Sequence, residues 1–338
     1  MKKFLAMLLA LVMVFALAAC GDSGESTTTP DPNAEGTTPA DSTDGESLGY
    51  VGISMPTQSL ERWNRDGAFL RDQFEASGYQ AELLYANNEV DQQVSDIQNL
   101  IADGVDLLVI SAIDGEALNT VMNEAGEAGI PIIACDRLIM NDNVDYYVSF
   151  DNFSVGVLQG QFLEEQLGLA DRTADDPAYI EFTAGDPADN NAPFFYNGAM
   201  SILQPYLDSG VLVCLSGQTD FDVVATEQWN TDTALDRAQT ILASYYSGGE
   251  HLDAWLCSND STALGVTQAV TSDYTGGNTV IITGQDGDVA NLRNIVDGTQ
   301  AMTVYKAVAN EAVVTLDLAI AILEGTTVDE AFIEAAGW

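Results

Sequence analysis

The sequence predicts an α/β protein folded as two lobes, each a parallel sheet covered by helices. Three observations carry that expectation. From Tyr50 onward, short β-rich runs alternate with longer segments of helical periodicity, the order that puts helices on both faces of parallel sheets. The ten runs are too many for one comfortable open sheet. The tract from Arg172 to Pro177 also separates the runs unevenly, so the chain is expected to leave the first lobe near Asp151. A single closed barrel of strands and helices is the alternative arrangement.

In order, the strands expected in the first half are YVGIS (50–54), AELLYA (81–86), VDLLVIS (105–111), PIIACD (131–136) and YYVSFD (146–151). Those of the second half are AYIEFTAG (178–185), VLVCLSG (211–217), DAWLCSN (253–259), TVIITGQD (279–286) and AMTVYK (301–306). Helical spacing is clear in VDQQVSDIQNLIADG, where Val94, Ile97, Leu100 and Ile101 form one apolar face and Gly104 ends it. The last long helix is expected from Val308 to Leu323, stopping at Gly325.

Composition narrows the function. Ten Lys+Arg against 52 Asp+Glu give the 338-residue chain a formal net charge of -42. That field repels phosphate backbones and argues against nucleic acid as a partner, while keeping an exported protein soluble. Lys2 and Lys3 precede an apolar run from Phe4 to Ala16, too short for a comfortable permanent span. It ends at Leu17-Ala18-Ala19-Cys20, which resembles a bacterial lipobox with Cys20 as the lipidated residue. The plainer reading is an ordinary secretory signal with an incidental cysteine. Residues 21–48, rich in Thr, Ser, Gly, Pro and acid, are expected to be a flexible tether. Cys135, Cys214 and Cys257 sit in apolar runs, so no disulfide framework is expected. Neither a cofactor nor a metal is expected: there is one histidine, His251, and the acids Asp142 and Asp145 lack the rest of a calcium loop.

Ligands of open parallel sheets bind beyond the carboxyl ends of the strands. Polar residues collect there in this chain. Arg62 and Trp63 follow the first strand, Asp136 and Arg137 end the fourth, and Asp189 and Asn191 follow the sixth. Asn259, Asp286 and Lys306 close later ones. Carboxylates that accept, cations that donate and amides that do both suit hydroxyl groups. Each has a plainer role beside it. Asp136 and Arg137 can pair with each other, Trp63 and Trp229 can be core, and Asn259 or Asp260 can cap the following helix. Gln285 is expected to support the backbone.

The segments MPTQSLERWNRDG, DGVDLLVISAIDGEAL, CDRLI, FDNFSVGVLQG, GDPADNNAPFFYNGAM, CSNDSTALG, TGQDGDVANLR and TVYK occur in register across roughly residues 49 to 325. Together they resemble the type-1 periplasmic binding proteins for xylose and for multiple monosaccharides. The resemblance implies two Rossmann-like lobes, hinge-linked, with a cleft between them that closes on one sugar. It implies a first lobe from residues 49–150 plus 307–325 and a second from 151–306. Residues 326–338 would be a tail shorter than in the family. Arg62, Trp63, Asp136 and Arg137 would bind from the first lobe. Asp189 or Asn191, Asn259, Asp286 and Lys306 would bind from the hinge and second lobe, with Trp229 as the aromatic face. Cys135, where relatives commonly carry a tyrosine, and Gln58, near a position open to a basic residue, depart from the pattern.

The function so implied is an extracytoplasmic, lipid-anchored, monomeric sugar-binding subunit working with the permease and ATPase of an ABC importer. A sugar-sensing receptor for chemotaxis or a kinase partner is the alternative. A glycosidase would need one carboxyl held protonated, yet Asp136, Asp189 and Asp286 each neighbour donor-rich residues in sequence. A sugar-responsive repressor would need a DNA-binding segment where the leader and tether lie.

Overall fold

A computed structural model describes residues 47–337. The expected leader with Cys20 and residues 21–46 of the expected tether lie outside the described residues. The first lobe is built on β1 (Tyr50–Met55), β2 (Gln80–Tyr85), β3 (Leu107–Ile110), β4 (Ile132–Cys135) and β5 (Tyr146–Val148). They form one parallel sheet in the order β2-β1-β3-β4-β5. Helices α1 (Glu61–Ala76), α2 (Val90–Asp103) and α3 (Asn119–Ala128) connect the first four strands.

Alternate side chains of a strand face opposite sides, so a sheet covered on both faces reads as a continuous apolar run. Val51, Ile53, Leu107, Val109 and Ile133 pack against Leu70 and Phe74 of α1. Their neighbours Leu108, Ile110, Ile132 and Ala134 face Ile97 and Leu100 of α2 and Val121 and Met122 of α3. Helix α10 (Val308–Leu323) joins the first of these cores through Ala312, Leu316 and Ala319.

The second lobe repeats the plan with β6 (Ala178–Thr183), β7 (Leu212–Val213), β8 (Ala254–Cys257) and β9 (Ile281–Ile282), parallel and in the order β7-β6-β8-β9. Helices α4 (Asn152–Leu167) and α5 (Ala192–Ser209) cover one face. Beyond the short α6 (Phe221–Val224), α7 (Thr231–Tyr245) and α8 (Asp260–Asp273) cover the other. Helix α9 (Val289–Asp297) follows β9, and α11 (Glu330–Ala336) lies near the C-terminus. Helices α4 and α5 touch backbone to backbone. A Cβ at Gly156 would stand 1.9 Å from Phe195 O, and one at Gly198 would stand 2.2 Å from Phe153 O. Only glycine permits this approach, which brings the start of α5 to the lobe boundary.

Seven of the nine strands are shorter than the sequence suggests, and among the described residues the tenth is absent. Residues 301–306, expected as a strand, form one isolated parallel bridge between Gln285 and Val304. Asp286 and Gly287 take φ of 108° and 73°, so the extended ladder stops after that single pairing. The fifth strand ends early because Asp151 turns to cap α4, accepting from Ser154 N at 3.0 Å.

Candidate functional site

A cavity opens between the lobes at the carboxyl ends of their strands, with about 360 Å³ of atom-free space that is partly open to solvent. Its first-lobe wall begins with α1, whose first turn supplies Arg62 and Trp63. The Trp63 ring lies 4.7 Å from the Arg62 guanidinium and 5.0 Å from that of Arg137. Both cations thus lie over an electron-rich face. At the end of β4, Asp136 takes φ of 62°, which turns its carboxylate out of the strand. Three donors, Tyr147 Oη (3.0 Å), Ser149 Oγ (3.0 Å) and Asn191 Nδ2 (2.9 Å), converge on the Asp136 carbonyl and stabilise that unusual turn.

Asp136 is buried between Arg62, which donates to Oδ2, and Lys306, whose Nζ lies 2.9 Å from the same oxygen. Burial opposes its ionisation, but the two cations outweigh that cost and hold it well below the usual carboxylate range. Arg137 is fixed as a planar donor. Its Nη1 donates to Ala112 O (3.1 Å), and its Nε lies 3.2 Å from Asp189 Oδ2. Nη2 makes no hydrogen bond among the described residues.

The second-lobe wall is set by Asp189 and Trp229. Trp229 Nε1 donates to Asp189 Oδ2 at 3.1 Å, and the ring meets Phe195 edge to face at 6.1 Å. A Cβ at Gly185 would stand 1.9 Å from the Trp229 ring, so the indole requires glycine beneath it. Asn259 combines two roles: its Oδ1 caps α8 by accepting from Thr262 N at 3.0 Å, and its amide nitrogen stays free at the cavity. Asp286 Oδ1 and Gln285 Oε1 are buried without a hydrogen-bond partner among the described residues. Burial raises the Asp286 carboxyl from its ordinary value, only partly offset by Arg62 and Lys306.

Eight of the ten residues singled out from the sequence stand at the cavity wall: Arg62, Trp63, Asp136, Arg137, Asp189, Trp229, Asn259 and Asp286. Asn191 and Lys306 do not. Asn191 lies behind, bonded to the Asp136 carbonyl and accepting from Asn152 Nδ2 at 2.9 Å. Lys306 lies buried against Asp136, with Nζ 4.7 Å from the Phe150 ring. Leu60, Phe195, Ser261 and Gln285 also line the cavity, although sequence reasoning did not place them there. Phe195 and Ser261 stand inside the quoted segments GDPADNNAPFFYNGAM and CSNDSTALG; only helix packing turns them inward.

A family profile described as "Periplasmic binding protein domain" matches residues 51–327, nearly the whole described chain. This chain belongs to that periplasmic binding protein family. Among its relatives, the multiple sugar-binding periplasmic receptor ChvE of Rhizobium radiobacter is 44% identical over 82% of this chain and 79% of its own length. The D-xylose-binding periplasmic protein of Escherichia coli is 34% identical over 81% of this chain and 78% of its own. An ABC transporter solute binding protein from Clostridium phytofermentans, solved with bound β-D-glucose, superposes with a TM-score of 0.80 at 49% identity. That match covers 83% of this chain and 86% of the other. These relatives are receptors and binding proteins, not enzymes. For a periplasmic binding protein the interlobe cavity lies where the strand-end rule expects a ligand.

Proposed function

We propose that this chain is the solute-binding subunit of an ABC sugar importer, taking one neutral monosaccharide of the glucose or xylose type in the interlobe cavity. The observation that carries the reading is the set of unused polar valences at the wall. Arg137 Nη2 and Asn259 Nδ2 can donate, while Asp286 Oδ1 and Gln285 Oε1 can accept. Trp63, Phe195 and Trp229 supply apolar surface for the faces of a ring. Arg62 and Lys306 are neutralised by Asp136 and other acids, and Arg137 by Asp189, so the ligand need bring no charge. Loaded protein would then deliver sugar to a permease from an anchor at Cys20 on the extracytoplasmic face of the membrane.

Calorimetry of the chain against D-glucose, D-xylose, D-galactose and L-arabinose tests the site. One-to-one binding of at least one is expected. Binding of none, with heat on adding an amino acid or polyamine, overturns the reading. Cys20→Ser tests the anchor and should abolish lipid attachment; a lipidated variant overturns it.

A further inference from the structure

Helix α9 of the second lobe starts differently from its neighbours. Helices α4, α7 and α8 are each capped by their own preceding residue, Asp151, Asn230 and Asn259. Asp288 occupies that position before α9, but its side chain makes no capping hydrogen bond. The first amide of the helix, Val289 N, instead donates to Glu61 Oε1 at 3.0 Å, and Glu61 begins α1 in the first lobe. One turn further along α1, Arg65 Nη2 donates to Asp286 O at 3.3 Å and lies 3.6 Å from Asp288 Oδ1. Neither Glu61 nor Arg65 lines the cavity. The turn they hold carries Asp286, which does.

We propose that Glu61 and Arg65 form an interlobe latch, in which one lobe caps a helix of the other and so lengthens the lifetime of the closed, sugar-loaded state. This extends the sugar-binding reading, because the latch acts on ligand release. A carboxylate at a helix N-terminus satisfies an otherwise unpaired amide and complements the helix dipole. Glu61 and Val289 are exposed even with the contact made, and separating the lobes breaks it, so the contact weights only the closed form. Residues of this kind change departure more than encounter, and change it equally for every sugar. Residues touching the sugar alter the ratio between sugars.

The test uses the full chain, with D-glucose and D-xylose followed by stopped-flow tryptophan fluorescence. Loss of one cap is expected to raise the dissociation rate constant of Glu61→Ala about fivefold, by the same factor for both sugars. Association should change less than about twofold. Glu61→Gln keeps an acceptor oxygen and should restore slow release. Hydrogen exchange at saturating sugar supplies a second readout: the Val289 amide should exchange faster in Glu61→Ala than in the parent or in Glu61→Gln. Unchanged dissociation together with unchanged Val289 exchange overturns the latch, as does a factor that differs between the sugars. If the parent binds neither sugar, the glucose or xylose reading fails by itself, and Val289 exchange with D-galactose or L-arabinose in their place decides the contact.

Discussion

Asp136 and Asp260 stand just beyond the interior strands β4 and β8, one in each lobe, and both are buried to within 2% of full enclosure. Their proton affinities diverge. Asp136 is held well below the carboxylate range by Arg62 and Lys306 despite its burial. Asp260 is pushed up to about 8 by burial and by the nearby Asp286. Its carboxylate accepts from Asp288 N (2.9 Å), Thr303 Oγ1 (3.0 Å) and Gln300 Nε2 (3.3 Å), none of which brings a formal positive charge. Two buried carboxyls, one in each lobe, thus carry different charge. The difference follows from which cations reach them.

The largest expected effect breaks the first half of that comparison. Asp136→Asn leaves Arg62 and Lys306 buried around a neutral amide, so urea unfolding should register a loss of about 3–5 kcal/mol, with loss of sugar binding. A stability within about 1 kcal/mol of the parent would mean the cluster relaxes or hydrates, and the ion-pair account would fail. Lys306→Met removes one of the two cations and should cost about 1.5–3 kcal/mol, because Arg62 still compensates the carboxylate. Its effect on sugar affinity should be smaller than that of Arg137→Ala, since Lys306 stands behind the wall and Arg137 is part of it.

The pH profile separates the two carboxyls further. A lowered folded pKa gives stability that is present above the ordinary carboxylate value and lost as pH falls through the folded one. Asp136 therefore contributes to acid unfolding. A raised folded pKa works the other way. Stability is fully present below the unfolded value, about 4, and is lost as pH rises through the folded one. Asp260 at about 8 and Asp288 at about 7 do this in the second lobe, as does Glu311 at about 8 beside Arg62. Denaturant titrations between pH 5 and 9 should give declining stability. The smallest effect expected is that of Asp260→Asn: under about 1 kcal/mol near neutrality, with a shallower decline toward pH 9. An unchanged slope would show that Asp260 is ionised throughout.

Much of the fold was legible because its signals are local. The strand cores β1, β3, β4, β6 and β8 fall inside the apolar runs, and α10 spans the Val308–Leu323 segment expected from its pattern. The tenth strand failed for a reason no period reveals, the left-handed turn at Asp286 and Gly287. The site divides in the same way. A strand's carboxyl end can be read along the chain, which gathered Asp136, Arg137 and Asn259 into one set. Whether a side chain there faces the cavity or supports one that does depends on residues far away. Asn191 lost its place at the wall to the Asp136 carbonyl 55 positions earlier, and Lys306 to the Asp136 carboxylate 170 positions earlier.

By itself, then, the sequence determined that the chain alternates strand and helix and crowds polar groups at strand ends, because periodicity and turn chemistry act over a few residues. Tertiary structure alone decided which of those groups are charged, which remain free at the cavity, and that Glu61 caps α9 across the lobe boundary. Those outcomes depend on distances between residues up to 249 positions apart, and on burial that strengthens each charge and makes each unpaired group costly.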